Sequence, residues 1–397
     1  MNPAKNRIAV LGGLGLMGEA ALYDLCCSPQ VGEILVLDNC RAREAEVLKK
    51  LPSRSKVKIL TADLKDRDKT KKILAGSKVL VHCAWYELNL AAMDIALAIG
   101  AHYVDLGGLY YMTLKQLKKN NEFRGRALTA VLGCGSTPGI ANVMARFLTD
   151  PMQRVESLTI YDAGHDPALN DQEFLPPFSI RTLLDEFEKP AVIYERGRIL
   201  EDPPFSYEEE VNFPEPVGKG RAGVILHSEL ATLPRALKSK GLQNLFFKII
   251  YPASVKQQME LLVHVGFAQD SAVQVNGYQI SPREFITAMA REAVQKAPPS
   301  KPKDYEILRV RVTGTEDRLP VEKFLDVHLR SKGPLSAGAM GVGFTASIVT
   351  QMLCSGEILA RGVLAPEAAV PPGPFFRQWK SRGVFEMEES RKKRVVV

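Results

Sequence analysis

The first 140 residues alternate between two hydrophobic periods, and no other feature limits the fold so strongly. Six apolar runs of strand length occur at Arg7 to Gly12, Glu33 to Asp38, Val57 to Asp63, Lys78 to Ala84, His102 to Gly107 and Ala127 to Gly133. Between them lie stretches of helical spacing: Leu14 to Cys27, Ala42 to Leu51, Lys65 to Leu74, Leu88 to Ile99, and one around Leu114 to Phe123. Strands that alternate with helices predict crossover units and a doubly wound parallel sheet covered on both faces.

After Pro138-Gly139 the texture changes. Val155 to Gly164, Glu195 to Asp202, Gln258 to Ala268 and Glu306 to Gly314 read as strands, the last alternating apolar and polar as a sheet with one wet face does. Proline-bearing polar segments at Asp202 to Arg221 and Ala297 to Asp304 read as surface loops. Thr345 to Leu359 reads as an amphipathic helix, and Pro371-Pro372-Gly373-Pro374 as the close of the ordered part. The expected fold is therefore α/β, with a second α+β domain built on a mostly antiparallel sheet.

Between the first strand and first helix stands Gly12-Gly13-Leu14-Gly15-Leu16-Met17-Gly18, in which Gly13, Gly15 and Gly18 satisfy G-x-G-x-x-G. Such a loop turns tightly, lets the backbone approach a pyrophosphate, and packs the helix on the strand; the helix N-terminus then offers free N–H groups to the phosphates. Asp38 ends the second strand, twenty residues after Gly18, where a carboxylate accepts the adenosine ribose hydroxyls. This is a Rossmann-type dinucleotide site. Asp38 favours NAD, whereas Arg41 and Arg43 stand near enough in sequence to accept the 2′-phosphate of NADP. Gly13, Gly15, Leu16, Met17, Gly18, Asp38, Asn39, Arg41, Asp63, Ala84 and Trp85 are the expected cofactor contacts.

Composition narrows the remaining classes. With 46% hydrophobic residues the chain can bury a core, so disorder is excluded. No apolar run reaches the roughly 18 residues of a membrane span, and the polar start, Met1 to Asn6, is no signal peptide; a cytoplasmic protein without a membrane partner is expected. The net charge of +7 is mostly interleaved with acids, its concentrated runs being Lys118-Lys119 and Arg391-Lys392-Lys393-Arg394, the latter in a tail read as frayed, so no nucleic-acid partner is expected. Six cysteines and six histidines show no metal-ligand spacing, and no metal is expected.

A series of segments resembles a known family: Gly15-Leu16-Met17-Gly18, Tyr86-Glu87-Leu88-Asn89, Tyr103 to Gly108, Pro138-Gly139-Ile140-Ala141-Asn142, Thr345-Ala346-Ser347, Gly362 to Glu367 and Arg382-Gly383-Val384. It is similar to the saccharopine dehydrogenase-like oxidoreductases, with the layout of the lysine 6-dehydrogenases. The resemblance implies a discontinuous Rossmann domain (residues 1–142 and 337–397, its C-terminal helix returning), a substrate and dimerisation domain at 143–336, and a homodimer. It implies oxidation of an amine to an imine by hydride transfer to NAD or NADP, then hydrolysis, on an amino-acid-like small molecule. For lysine the products would be the 6-semialdehyde and ammonia.

Two departures stand out. Where relatives usually carry an R-Y-x-G-H-like segment, this chain has Ile250-Tyr251-Pro252-Ala253-Ser254, and where some carry an acid before Pro-Gly it has Thr137. Loss of that arginine removes a bidentate carboxylate clamp unless Arg181 or Arg221 replaces it. Asp105, Tyr86 and His165 are the candidates for proton transfer. Tyr86, Gly108, Ser136, Pro138, Asn142 and Arg181 are the candidates for substrate contact. A non-catalytic NAD(P)-binding sensor or scaffold of the same fold is the alternative that the departures leave open.

Overall fold

The computed structural model describes residues 5–64, 66–167, 178–296 and 301–393. The six expected strands form as β1 (Asn6–Leu11), β2 (Val31–Asp38), β3 (Val57–Thr61), β4 (Val79–His82), β5 (His102–Asp105) and β6 (Thr129–Val131). Each is joined to the next by helices: α1 (Leu16–Cys27), α2 (Glu44–Lys50), α3 (Arg67–Leu74), α4 (Asn89–Ile99), then α5 (Leu109–Leu117) with α6 (Asn120–Gly125). All six pair in parallel, in the order β6-β5-β4-β1-β2-β3. Ile8, Ala9, Val10 and Leu11 are buried because helices cover both faces, which is why β1 is apolar at consecutive positions and does not alternate.

After α7 (Ile140–Thr149) the chain builds a second, nine-stranded mixed sheet. Its strands are β7 (Arg154–His165), β8 (Ala191–Glu195), β9 (Arg198–Asp202), β10 (Glu209–Asn212), β11 (Lys219–Val224), β12 (Asn244–Ile250), β15 (Tyr305–Glu316), β16 (Leu319–Arg330) and β18 (Phe385–Lys393). A separate hairpin, β13 (Val273–Val275) and β14 (Tyr278–Ile280), stands apart from both sheets. Only β12 and β7 run parallel; every other pair in the large sheet is antiparallel. The α/β and α+β expectation is borne out.

Local expectations fare less evenly. Gln258 to Ala268 is no strand: it falls largely in α10 (Ala253–Val265), because Val255, Met259, Leu262 and Val263 recur at helical spacing and pack with α8 (Ile180–Glu188). Asp202 to Arg221 contains the β10–β11 hairpin. Part of Ala297 to Asp304 lies outside the described residues. After the short helix α9 (Leu233–Ala236) and α11 (Pro282–Lys296), the expected helix at Thr345 to Leu359 becomes α12 (Ala337–Ser355), ended by Gly356 in the left-handed region, φ 78°.

By length and composition α12 could cross a membrane, yet 78% of it is buried inside this protein. It is apolar nearly all round because it is wedged between α1, β4 and β5 on one side and β15, β16 and α14 (Pro372–Ser381) on the other. Gly343 permits the crossing: a β-carbon there would lie 2.5 Å from the Ala21 nitrogen and 2.6 Å from the Met17 oxygen.

The described part of the C-terminal segment, 337–393, is divided between the two sheets. Short β17 (Gly362–Leu364) pairs with β6 as a seventh parallel strand, followed by α13 (Pro366–Ala369). The prolines at 371–374 open α14 and do not close the ordered part, since proline suits the first turn of a helix. The chain then pairs along β16 as β18. Arg391 and Lys392, expected as a frayed tail, lie in that strand, and Arg394 lies outside the described residues.

Candidate functional site

At the cofactor end, the tight turn falls on Gly12, one residue before the expected Gly13. Gly12 has φ +72°, and a β-carbon on it would lie 2.8 Å from the Ala84 nitrogen. Gly13 packs against Val36, and a β-carbon on Gly18 would strike the Gly12 oxygen at 2.3 Å. A β-carbon on Gly15 would meet only the Gly12 oxygen, at an ordinary contact distance of 3.5 Å; α1 has no side-chain cap, and Leu16 is exposed beside it, whereas Met17 packs on the core. These features fit a pyrophosphate over the first turn of α1.

Asp38 sits at the end of β2 with Oδ2 accepting the Leu14 amide at 3.0 Å and Oδ1 the Cys40 amide at 3.1 Å. Asn39 follows it, exposed, as Asp63 is beyond β3. Arg41 is paired with Glu44, and Arg43 with Glu19 and Glu46, so both guanidiniums already hold carboxylates. Glu19, buried in the first turn of α1 where the helix dipole favours an acid, is neutralised by Arg43 and Lys50.

The three expected proton-transfer residues separate. Asp105 is fully buried: Oδ1 accepts the Gly133 amide at 2.7 Å and the Gly107 amide at 3.1 Å, and Oδ2 accepts Gln116 at 2.6 Å. It ties together the ends of β5 and β6. Tyr86 donates to Asp185 at 2.6 Å, a carboxylate that also holds Arg283 at 2.8 Å and Lys189 at 2.9 Å. His165 is exposed at the end of β7.

The expected substrate contacts divide similarly. Asn142 is buried, accepting the Gly139 amide at 2.9 Å and donating to Glu367 at 2.8 Å. Arg181 lies 4.5 Å over the Trp85 ring and pairs with Glu284, while Arg221 pairs with Glu208 at 2.7 Å. Neither arginine is a vacant carboxylate clamp. Gly108 precedes α5 and abuts Met112. Ser136 and Pro138 do reach the space between the two sheets. A β-carbon on Gly107 would lie 3.1 Å from the Pro138 ring and 3.7 Å from the Ser228 hydroxyl. One on Gly341, in α12, would lie 2.1 Å from the Ser136 hydroxyl and 3.1 Å from Glu306 Oε2.

That space holds a cluster that no sequence motif announced. Asp162 on β7 accepts the Thr137 hydroxyl at 2.6 Å. Glu186 on α8 accepts Tyr251 at 2.7 Å, so the tyrosine of the divergent 250–254 segment is used. His227 stacks on Phe247, centroids 3.8 Å apart, and shares a hydrogen with Glu229 through Nδ1. Glu306 on β15 completes the group. Burial pushes Asp162 up to about 6, with Glu229 adding to the push, and Glu186 up to about 7. Burial and the neighbouring Asp162 also raise Glu306. For His227 burial works against the charged form, but Glu229, Glu186 and Asp162 outweigh it and hold the imidazole above its usual value.

Three carboxylates, those of Asp162, Glu186 and Glu229, thus act on one histidine, and Glu306 stands beside Asp162. Buried oxygens of Glu229 and Ser228 have no hydrogen-bond partner, and Glu306 and Ser136 face each other. Buried polar atoms of this kind are satisfied by ordered water or by a ligand.

Residues 8–131 match the family described as "Saccharopine dehydrogenase NADP binding domain", and residues 135–384 match "Saccharopine dehydrogenase C-terminal domain". The chain belongs to the saccharopine dehydrogenase family. It is an NAD(P)-binding oxidoreductase of that family by both halves. Among characterised proteins it is 24% identical, over 72% of each chain, to carboxyaminopropylagmatine dehydrogenase from Synechocystis sp.. Two solved structures share the fold. Saccharopine dehydrogenase (L-Glu forming) from Saccharomyces cerevisiae has a TM-score of 0.74 at 16% identity, covering 98% of this chain and 100% of that one. Homospermidine synthase from Legionella pneumophila, in complex with NAD, has a TM-score of 0.68 at 13% identity, covering 98% and 92%.

Proposed function

We propose that this family member oxidises, or forms by reduction, the C–N bond of an amine that carries a further positive charge. The carrying observation is the group Asp162, Glu186 and Glu229 around His227, with Glu306 beside Asp162 and a partnerless buried oxygen at Glu229. Ser228 stands against Gly107, so this group adjoins the β5 and β6 ends where a nicotinamide approaches a parallel sheet. When bound, the dinucleotide supplies the hydride acceptor or donor.

The chain's own residues do the rest. The carboxylates hold the cationic end of the substrate, where an acid would meet like charge. In oxidation, the C–H hydrogen leaves as hydride and the nitrogen lone pair forms the C=N bond as an N–H proton departs. His227, oriented through Nδ1 by Glu229, receives that proton at Nε2 and returns it in the reverse direction. Water then adds to the C=N carbon and the amine leaves, or in synthesis the amine adds to a carbonyl. The Synechocystis relative is named for a carboxylated agmatine derivative, whose guanidinium end agrees with such a substrate.

NAD is the preferred cofactor on this reading, because Asp38 faces the ribose position while Arg41 and Arg43 are engaged by acids. The test is NADH consumption at 340 nm with short oxo acids and aldehydes, each paired with ammonia, lysine, 1,4-diaminobutane or agmatine. Turnover with a cationic amine supports the reading. NADH binding without turnover on any pair favours a non-catalytic sensor or scaffold.

A further inference from the structure

Amine chemistry at a C–N bond has two halves, and His227 serves the one in which hydride moves. In the other half water leaves or enters the same carbon. A second proton must then move, because hydroxide is a poor leaving group and water a good one. Glu306 is buried in the same space and has no part in the first half.

On β15, Glu306 stands opposite Gly164 of β7, and Leu308 opposite Asp162, so the two acids share one sheet face two positions apart. Gly164 brings no side chain against the carboxyl. Where α12 passes over it, a β-carbon on Gly341 would lie 3.1 Å from Oε2 and one on Gly338 3.9 Å. Ser136, 3% exposed on the loop after β6, faces the same carboxyl. Among the described residues the charged groups that face Glu306 are Asp162 and Asp304, and Asp304 is engaged by the Ala337 amide at 2.8 Å and the Gly338 amide at 3.4 Å. Asp162 in turn faces His227 and Glu229. Of two neighbouring carboxyls that cannot both ionise freely, the one without a cation keeps the proton, and burial and Asp162 push Glu306 well above the usual carboxylate range. Across the space, the hydroxyl of Ser228, 5% exposed, and Oε1 of fully buried Glu229 have no partner, which a water molecule satisfies.

We propose that Glu306 is the general acid and base of the half-reaction in which water leaves or enters, a role that rests on the amine reading above. In synthesis the carbinolamine takes the Glu306 proton on its hydroxyl oxygen. The C–O bond breaks, water departs, and the nitrogen lone pair closes the C=N bond as an iminium, which hydride then reduces at carbon. The carboxylate left on Glu306 accepts the Ser136 hydroxyl. It regains a proton when the next amine, entering as an ammonium, adds to a carbonyl and gives one up. In hydrolysis each step reverses, and the carboxylate takes its proton from the water that attacks the iminium carbon.

The test is stopped-flow oxidation by the full chain with NAD, in wild type, Glu306→Gln and Ser136→Ala. The probe is the secondary amine obtained by borohydride reduction of agmatine with the oxo acid or aldehyde that the wild type uses fastest. Glu306→Gln exchanges one neutral hydrogen-bonding group for another, and circular dichroism with NADH binding verifies its fold. Its first turnover, which reports hydride transfer, is expected at the wild-type rate. Its later turnovers, which wait for water to add, are expected at least about 100-fold slower. Later turnovers at the wild-type rate would overturn the proposal, and so would a first turnover slowed as much as the later ones. Ser136→Ala leaves Glu306 in place and is expected to slow the later turnovers at least about tenfold, the worth of a hydrogen bond to a charged group. Should Glu306→Gln not fold, unslowed later turnovers in Ser136→Ala would overturn the proposal instead. A wild type that oxidises no such amine contradicts the amine reading itself; an active wild type with unaltered variants contradicts the role of Glu306 alone.

Discussion

The hydroxyl of Thr137, on the loop that leaves β6, donates to Asp162 on β7 at 2.6 Å, and so ties the parallel sheet to the mixed one where the acidic cluster begins. Asp162→Asn keeps an acceptor for that hydroxyl and removes a charge. Truncating one side of a buried charged contact typically costs 2–5 kcal/mol, so KM for a cationic amine should rise at least about 30-fold, with the fold intact by circular dichroism. An unchanged KM would remove Asp162 from the substrate's surroundings.

Stability should depend on pH in a definite direction. Asp162, held at about 6, and Glu186, at about 7, bind their protons more tightly in the fold than in the unfolded chain, because burial disfavours the charge. Such groups stabilise fully below about pH 4, and that contribution is lost as pH rises through their folded values. His227, also raised, acts with the same sign. The thermal midpoint of the ligand-free protein should fall between about pH 5 and about pH 8, and fall less in Glu186→Gln. Equal slopes in the two proteins would contradict this.

Gly343 leaves no space where α12 crosses α1: a β-carbon there would strike the Ala21 nitrogen, the Met17 oxygen and the Ala20 β-carbon of α1, none of which can swing aside. Gly343→Ala should therefore destabilise by about 1–3 kcal/mol in urea unfolding. Gly356→Ala is a useful contrast: it meets no neighbouring atom, and its cost comes from the left-handed backbone alone.

Cofactor choice should follow Asp38. NADH is expected to bind at least about tenfold more tightly than NADPH, a difference of about 1.4 kcal/mol, because the carboxylate repels a 2′-phosphate. Asp38→Asn should narrow the gap, as read by fluorescence titration with each nucleotide. A wild-type preference for NADPH would show that Arg41 or Arg43 leaves its acidic partner to bind phosphate.

The parallel sheet was legible because each central strand is a short apolar run buried on both faces, and the glycine loop because its spacing is local. β17 was not legible: three residues, Gly362 to Leu364, carry too little pattern. α10 was misread because Leu262, His264 and Gly266 fall among apolar neighbours in a way that mimics alternation, although Met259 and Leu262 obey the helix. The acidic cluster was hidden for another reason. Asp162, Glu186, Glu229 and Glu306 come from four separate elements, and only folding brings them together. The available clue was His227-Ser228-Glu229, a histidine and an acid two residues apart after a buried apolar stretch. Of the expected residues, Asp105 and Asn142 hold strand and helix ends in place.

The most direct test is the initial rate of NADH oxidation with one carbonyl acceptor and two amines of equal length, 1,4-diaminobutane and butylamine, in wild type and Glu186→Gln. The account predicts that the wild type turns over the dication at least about tenfold faster at subsaturating amine, and that Glu186→Gln largely erases the preference. Equal rates for the two amines in the wild type would contradict it.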